Sequence, residues 1–202
     1  MPTSASNLKI VGLDLSLTGT GVAILRLSSG KWAKPELHTV RPRPCPKGPV
    51  TRTYEAERLH DVVSTLREMR IFEDTSLVGI EDYAYGIGAG KTNCIFELGE
   101  LGGCVRYLLI EHGISFIEIP ITVGKKWATG NGSAKKPQVA EQMSALWSLP
   151  KFDESQYDSS DALALGSAAA HRLLGDLSGK KLYQFQGKLA NELEIVSARK
   201  NR

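Results

Sequence analysis

Hydrophobic residues in this chain form short runs in some segments and recur at three- and four-residue spacing in others. The short runs predict β-strands, and the helical spacing predicts amphipathic helices that pack against a sheet. Strands are expected at 8–14, 20–27, 37–41, 77–81 and 115–120, and helices at 53–70, 93–111, 133–147 and from about 158 onward. Early strands followed by alternating helices and strands are typical of an α/β fold.

Two segments break this pattern and are predicted to be loops. Four of the nine prolines lie within 42–49, where they remove backbone donors and fix φ. The segment after the fourth strand has glycines but lacks the GxxxxGK[ST] spacing of a P-loop, so a nucleotide-binding motif is rejected. Two aromatic residues there, Tyr83 and Tyr85, are candidates for stacking on nucleic-acid bases or, equally, ordinary packing residues.

Two of the predicted strands end in an acidic residue. Asp14 follows the run IVGL, and Glu81 follows LVGI. Sites in α/β proteins lie outside the carboxyl ends of parallel strands. A buried carboxylate needs a metal, a cation or hydrogen-bond donors to offset its lost hydration. The small residues at 16–21 would let a phosphate approach closely. A solvated or capping Asp in an ordinary hairpin is the alternative for Asp14.

The last predicted helix begins with a second pair of acids. Asp158 and Asp161 are spaced i and i+3, so both carboxylates share one face at the helix N-terminus. N-capping is the structural alternative, but it explains one acid more easily than two.

Together these acids predict a metal site. Four converging negative charges need neutralisation, and all-oxygen ligands suit Mg²⁺ or Mn²⁺. None of the four histidines has zinc-type spacing with cysteines. A pair of such ions is the arrangement that hydrolyses phosphodiesters.

Length and composition fit an ordinary globular domain. The chain has 202 residues, 42% hydrophobic and 23% charged, and no apolar run approaches the length of a membrane span. The start MPTSASN does not resemble a secretion signal, and three cysteines form neither an even framework nor a CxxC pair. A cytoplasmic protein with reduced thiols and no membrane association is expected.

The net charge of +3 is small, but its distribution is uneven. One basic stretch lies at 31–52 and another at 119–151. The second contains four lysines that are candidates for DNA binding: Lys125, Lys126, Lys135 and Lys136. A solvated surface is the alternative for both stretches.

Several motifs make the chain resemble the RuvC Holliday-junction resolvases of the RNase H-like superfamily. They are GLDLSLTGTGVA around Asp14, IEDYAYG at Glu81 followed by ELGELGG, GNGSAKKPQV at 130–139 and YDSSDALALGSAAAH at 157–171. They occur in the family's order and cover most of residues 8–174.

The resemblance implies an RNase H-like five-stranded mixed sheet of order 3-2-1-4-5, with strand 2 antiparallel and helices on both sides. It implies a homodimer that nicks four-way DNA junctions symmetrically, leaving 5′-phosphate and 3′-hydroxyl ends. Asp14 would bridge two Mg²⁺ ions, Glu81 would hold the ion at the leaving oxygen, and Asp161 with Asp158 would hold the ion that activates water. Lys125 and Lys136 match basic residues near the scissile backbone, and Tyr83 or Tyr85 lies near an aromatic wedge.

The resemblance also sets the expected domain boundaries. Residues 1–175 are expected to form the nuclease domain, and 176–202 a basic, partly disordered C-terminal extension. The Pro-rich insert, a longer loop after Glu81 and this extension depart from the family pattern, and they leave substrate and partner preference open.

Three rival functions remain. The motif DLSLTGTG also resembles the phosphate loop of actin-like sugar kinases, but those normally need two such domains. A catalytically dead junction-binding protein is disfavoured because every acid is present. A nuclease acting on simpler branched DNA or on RNA hybrids stays open.

Overall fold

The computed structural model describes residues 7–44, 47, 49–83 and 92–198, with only the backbone for 92–95. The strands are β1 (Leu8–Asp14), β2 (Thr20–Ser28), β3 (Lys31–Trp32), β4 (Glu36–Val40), β5 (Leu77–Glu81) and β6 (Phe116–Ile119). The α-helices are α1 (Arg52–Glu68), α2 (Thr92–Glu111), α3 (Ile121–Thr129), α4 (Lys136–Trp147), α5 (Tyr157–Leu174) and α6 (Gln184–Glu192). A short 3₁₀ helix, Glu154–Gln156, precedes α5.

The strands form one mixed sheet. β1 lies between β2, which is antiparallel to it, and β5, which is parallel, and β6 pairs parallel with β5. Both β3 and β4 pair with the outer side of β2, so the order β3-β2-β1-β5-β6 with β4 beside β2 differs slightly from the predicted 3-2-1-4-5. The expectation of five strands was wrong by one, because Lys31–Trp32 folds back antiparallel onto the end of β2 as the short strand β3.

The helices begin and end where local chemistry requires. The Thr51 side chain accepts from the Tyr54 backbone N–H and caps α1, and Pro137 lies in the first turn of α4, as predicted. Two helices were not predicted. Helix α3 occupies a segment expected only to lead into the next helix, and it ends at Gly130 with a φ of 81°. Helix α6 lies in the expected extension.

One face of the sheet is covered by α5 at unusually short range. A Cβ at Gly12 of β1 would lie 1.9 Å from the Ala162 carbonyl oxygen, and one at Gly79 of β5 would lie 2.5 Å from that of Leu165. Only glycine permits this approach of helix backbone to strand backbone. These strand glycines therefore fix the depth at which α5 sits on the sheet.

The opposite face is covered by α1 and α2 through a separate apolar cluster. Val62 and Leu66 of α1 and Leu101 and Val105 of α2 are fully buried in it. On its outer side α2 exposes Phe96, Tyr107 and Ile110. No helix in the described part of the chain is long and apolar enough to cross a membrane.

The segment after α5 packs against the domain as far as Val196. Leu177, Ala190 and Leu193 are buried, and Gln186 of α6 donates a 3.0 Å hydrogen bond to the Trp127 carbonyl of α3. Val196 and Phe116 of β6 exchange two backbone hydrogen bonds. Residues 176–196 thus pack on the same folded unit as the preceding part of the chain.

Candidate active site

The predicted acids converge on one cavity of about 340 Å³ at the carboxyl ends of β1 and β5. Asp14 ends β1, Glu81 ends β5, and Asp158 and Asp161 lie in the first turns of α5. All four line the cavity together with Lys125 of α3 and Lys136 of α4. The topology explains this convergence, because α5 crosses β1 and β5 with its N-terminus at their carboxyl ends.

Asp14 and Glu81 form a carboxylate pair on neighbouring parallel strands. Asp14 is buried, and its burial raises the pKa of that carboxyl well above its ordinary value. A hydrogen bond with the Glu81 carboxyl and the charge of Glu81 raise the pKa further. The Asp14 carboxyl therefore holds its proton more tightly than an exposed aspartate does.

Asp158 and Asp161 are neutralised differently, by the ammonium of Lys136. Its Nζ donates to Asp158 Oδ1 at 2.6 Å and lies 3.4 Å from Asp161 Oδ2 and 4.0 Å from Asp14 Oδ2. Burial lowers the pKa of Lys136, but the hydrogen bond with Asp158 and the charges of Asp14 and Asp161 outweigh it and raise the pKa overall. Burial and the charge of Asp14 raise the pKa of Asp161 to about 6.

The turn after β1 is shaped to admit the start of α5. The Thr20 hydroxyl donates to the Ser16 carbonyl at 2.7 Å and accepts from the Ser16 N–H at 3.1 Å, and Arg58 of α1 donates to the Leu17 carbonyl at 2.7 Å. A Cβ at Gly21 would lie 2.0 Å from the Asp158 carbonyl oxygen, and one at Gly19 would lie 2.7 Å from Asp158 Oδ2. These glycines, which the sequence suggested would admit a phosphate, make room for α5.

The other predicted binding residues are distributed unevenly. Lys125 lines the cavity, whereas Lys126 and Lys135 are exposed and do not line it. Tyr83 lies beside the site with its ring 4.0 Å from the guanidinium carbon of Arg106. Tyr85 lies outside the described residues.

Part of the first basic stretch is neutralised by acids of α1. Arg43 pairs with Asp61 at 2.7 Å and with Glu57. The solvated-surface alternative therefore accounts for Arg43, since its charge is balanced locally.

Two contacts at the site were not predicted from the sequence. Lys136 was assigned to phosphate binding alone, although its ammonium lies among three carboxylates. Arg106 gave no motif signal, yet its Nη2 donates to the Glu81 carbonyl at 3.4 Å. A basic residue within the apolar pattern of α2 was the one available sign of such a contact.

The donor chemistry of this site fits a hard divalent cation. Its four acids offer only oxygen ligands. A cation between the Asp14 and Glu81 carboxylates would relieve the repulsion between them. The distances between these carboxylates are not those of a formed metal site. Among the residues with described placement, no group of three Asp, Glu, His or Cys side chains is arranged to hold a metal ion. Lys136 occupies the space between Asp14 and the α5 acids, so it must shift if a cation is to bind all of them.

Comparison with solved structures identifies the class of fold. The structure superposes on the solved Thermus thermophilus RuvC with a TM-score of 0.60 and 19% identity, covering 87% of this chain and all of that one. It matches T. thermophilus RuvC in complex with a Holliday junction substrate with the same TM-score, 16% identity and coverages of 86% and 99%. These likenesses confirm the predicted RNase H-like architecture.

Sequence comparison gives the family. The model of the family described as "Crossover junction endodeoxyribonuclease RuvC" matches residues 10–171. The enzyme of that name from Hyphomonas neptunium is 26% identical over 166 residues, which span 82% of this chain and 92% of the relative. The chain belongs to the RuvC family.

Proposed function

We propose that this protein is a metal-dependent endodeoxyribonuclease that resolves four-way DNA junctions by paired symmetric nicks. The observation that carries the proposal is the convergence of four carboxylates and two lysines in one cavity at the sheet edge. The family match and the likeness to a RuvC bound to a Holliday junction support the choice of substrate. The nicks leave 5′-phosphate and 3′-hydroxyl ends.

The carboxylates would hold two Mg²⁺ ions, or Mn²⁺ in their place, and these ions would supply an activated water and stabilisation of the leaving oxygen. Asp14 would be the shared ligand, because it contacts Glu81 on one side and faces Lys136 and the α5 acids on the other. Burial of Asp14 and Asp161 strengthens their attraction for a cation by excluding water.

Lys125 and Lys136 bind the phosphate backbone at the cavity. Both line it, and phosphate contacts of this kind supply affinity that does not depend on base sequence. The exposed Lys126 and Lys135 extend the positive surface outward from it. Tyr83 and Tyr85 remain candidates for the junction centre, and a cytoplasmic location remains the expectation.

A homodimer is proposed because α2 presents an apolar face to solvent. Phe96 is 69% exposed and Tyr107 is 65% exposed. A Cβ at Gly99 or Gly103 would meet no atom within 4 Å, so the surface between these aromatic side chains is flat and open. A second copy of the chain would cover this face and supply the second active site that symmetric nicking requires.

Cleavage of matched DNA substrates tests the activity. A mobile four-way junction, a Y-fork, a linear duplex and an RNA–DNA hybrid of the same sequence would each be incubated with Mg²⁺ or EDTA. We expect paired nicks in the four-way junction alone, and only with Mg²⁺. Faster cleavage of the fork or the hybrid would favour the broader nuclease function, and binding without cleavage would favour a non-catalytic junction-binding protein.

Light scattering tests the assembly. The wild-type protein should have the mass of two chains, and Gly103→Arg should have the mass of one, because the added side chain projects into open space on the α2 face. Leu173→Arg, at a partly exposed position on α5, is the control that should remain dimeric. A monomeric mass for wild type, both free and bound to a junction, would contradict the dimer.

A further inference from the structure

We propose that Arg106 is a positioning residue that holds the end of β5 so that Glu81 faces the metal-binding cavity. The inference rests on the proposed function, in which Glu81 is a ligand. Arg106 is not among the residues that line the cavity, so any effect of it on the reaction must pass through the residues it touches.

Arg106 of α2 contacts β6, the end of β5 and the residue Tyr83 that follows β5. Its Nε forms an ion pair with Glu118 of β6, and its Nη2 donates to the Glu81 backbone carbonyl at 3.4 Å. The guanidinium also stacks on the Tyr83 ring, at 4.0 Å from the ring centroid. Because the Arg106 side chain is only 14% exposed, these interactions are shielded from water and from salt.

Arg106 contacts the backbone at the point where the hydrogen-bonded ladder of β5 ends. In the β5–β6 ladder Glu81 is the last paired residue of β5, opposite Ile119. One more backbone hydrogen bond follows, from the Asp82 N–H to the Ile119 carbonyl at 3.0 Å, and the Tyr83 N–H then turns to its neighbour Asp82 Oδ1 at 2.7 Å. Arg106 therefore supports the backbone at the point where the Glu81 side chain must keep its direction.

Gly102 shows that α2 is shaped around this arrangement. A Cβ at Gly102 would lie 2.5 Å from Arg106 Nη1 and 3.0 Å from Tyr83 Cε1. The glycine thus opens a notch in α2 that the guanidinium and the phenol ring fill. Gly99 and Gly103 of the same helix have no such neighbours, so the close contact is specific to Gly102.

The ion pair also suits a residue beside a cation site. Glu118 balances the charge of Arg106, so the pair adds little net positive charge near Glu81. Groups that hydrogen-bond and orient a metal ligand typically affect metal affinity or activity 10- to 100-fold when removed. We therefore expect Arg106 to influence the Mg²⁺ requirement more than DNA affinity.

Two kinds of substitution separate positioning from structural support. Arg106→Met removes the hydrogen bonds and the charge, whereas Arg106→Lys keeps the charge. Gly102→Ala keeps the Arg106 side chain but displaces its guanidinium, because the new Cβ would lie 2.5 Å from Arg106 Nη1. Alanine also has a higher helix propensity than glycine, so α2 itself should not be weakened. Arg172→Met is the matched control, because Arg172 donates to the Leu193 carbonyl at 2.7 Å far from the cavity.

Each variant would be measured in two ways: by the Mg²⁺ concentration that gives half of the maximal rise in melting temperature, and by that giving half-maximal junction cleavage. In Arg106→Met both concentrations should rise about 10- to 100-fold. Gly102→Ala should raise them less without lowering the melting temperature in EDTA, and Arg106→Lys should lie between wild type and Arg106→Met. Junction affinity in Ca²⁺ should stay within about twofold.

The outcomes separate this inference from the proposed function. Wild-type Mg²⁺ dependence in Arg106→Met and Gly102→Ala would overturn the positioning role while leaving the nuclease intact. An equal effect in Arg172→Met would also overturn it, since general destabilisation would then be the cause. A wild-type protein that neither cleaves junctions nor responds to Mg²⁺ would overturn both.

Discussion

The two halves of the site carry the same charge but control it by different means. The strand acids, Asp14 and Glu81, lie close to each other, and burial together with the neighbouring Glu81 carboxyl raises the pKa of Asp14. The helix acids, Asp158 and Asp161, lie around the Lys136 ammonium. A cation that bound both halves of the proposed metal site would therefore displace the proton of Asp14 and the ammonium of Lys136.

This difference assigns distinct roles to the two halves. The strand acids are fixed by the sheet ladder, so their geometry depends on β1 and β5. The helix acids are placed by how deeply α5 packs on the sheet, and Lys136 links them to α4. Substitutions in each half should consequently have different effects on cleavage, stability and pH dependence.

The largest effect is expected from Asp14→Asn. The change keeps the shape of the side chain but removes the proposed shared ligand, so cleavage should fall at least about 10³-fold. Junction binding should persist, because phosphate contacts supply it. Nicking and gel-shift assays on the same preparation would measure both, with Glu141→Gln on the exposed side of α4 as the control. Retained Mg²⁺-dependent cleavage by Asp14→Asn would remove the centre of the proposed mechanism.

Gly21→Ala should push the start of α5, which carries the helix acids, away from the sheet, which carries the strand acids. The new Cβ would lie 2.0 Å from the Asp158 carbonyl oxygen, and neither backbone can yield without moving α5. We expect a loss of about 3 kcal/mol in the free energy of unfolding, comparable with overpacking of a well-packed core. Gly187→Ala in α6, whose new Cβ would lie at an ordinary contact distance of 3.7 Å from His171 Nε2, should be neutral or slightly stabilising. Urea unfolding curves with equal effects for both variants would contradict the fixed depth of α5.

Lys136→Ala tests the amino group that separates the helix acids. Cleavage should fall roughly 10- to 100-fold, because the phosphate contact is lost, and the loss should be uniform across junction sequences. The slope of binding affinity against salt concentration should also decrease. Lys188→Ala, an exposed lysine of α6, is the control. A change confined to the preferred cut sequence would show that Lys136 contacts bases instead.

The smallest effect concerns pH in the presence of EDTA. The pKa of Asp161 is raised to about 6 in the folded protein, above its value of 3.8 when unfolded. The folded state therefore binds the proton more tightly, so the stability from this group is present below about pH 4 and is lost as the pH rises through about 6.

Asp161→Asn lacks this loss and should be about 1 kcal/mol more stable than wild type at pH 8 in EDTA, since Lys136 loses a partner and offsets part of the gain. The advantage should vanish near pH 4. With Mg²⁺ the order should reverse, because the cation stabilises the ionised wild type by mass action. Melting curves of both proteins at pH 4, 6 and 8 test this prediction. A wild-type protein more stable than Asp161→Asn at pH 8 in EDTA would contradict the raised pKa of Asp161.

The sheet and the acids were predictable because each leaves a local signal. Asp14 and Glu81 end apolar runs, and Asp158 and Asp161 have helical spacing, so convergence follows from general rules of α/β topology. The motif around Lys136 drew attention to that residue through its resemblance to the family. Its contact with the acids depends on how α4 and α5 pack, which no local pattern records.

The glycines show the limit of sequence reasoning more clearly. The glycines of α2 have different surroundings, because Gly99 and Gly103 face open space whereas Gly102 accommodates Arg106 and Tyr83. The closest backbone contacts instead occur at Gly12 and Gly21 of the strands. A glycine has no side chain to indicate its neighbour, so its role becomes visible only when the partner element is placed.

The pairing of Val196 with Phe116 has a consequence for solubility. In the described chain β6 is the outermost strand on its side of the sheet, and Val196 caps its free edge with two backbone hydrogen bonds. An uncovered strand edge is a template on which other molecules can add strands. The residues after α6 thus protect the sheet from edge-to-edge aggregation, and a chain shortened before Val196 would be at risk of forming insoluble assemblies even with its active site intact.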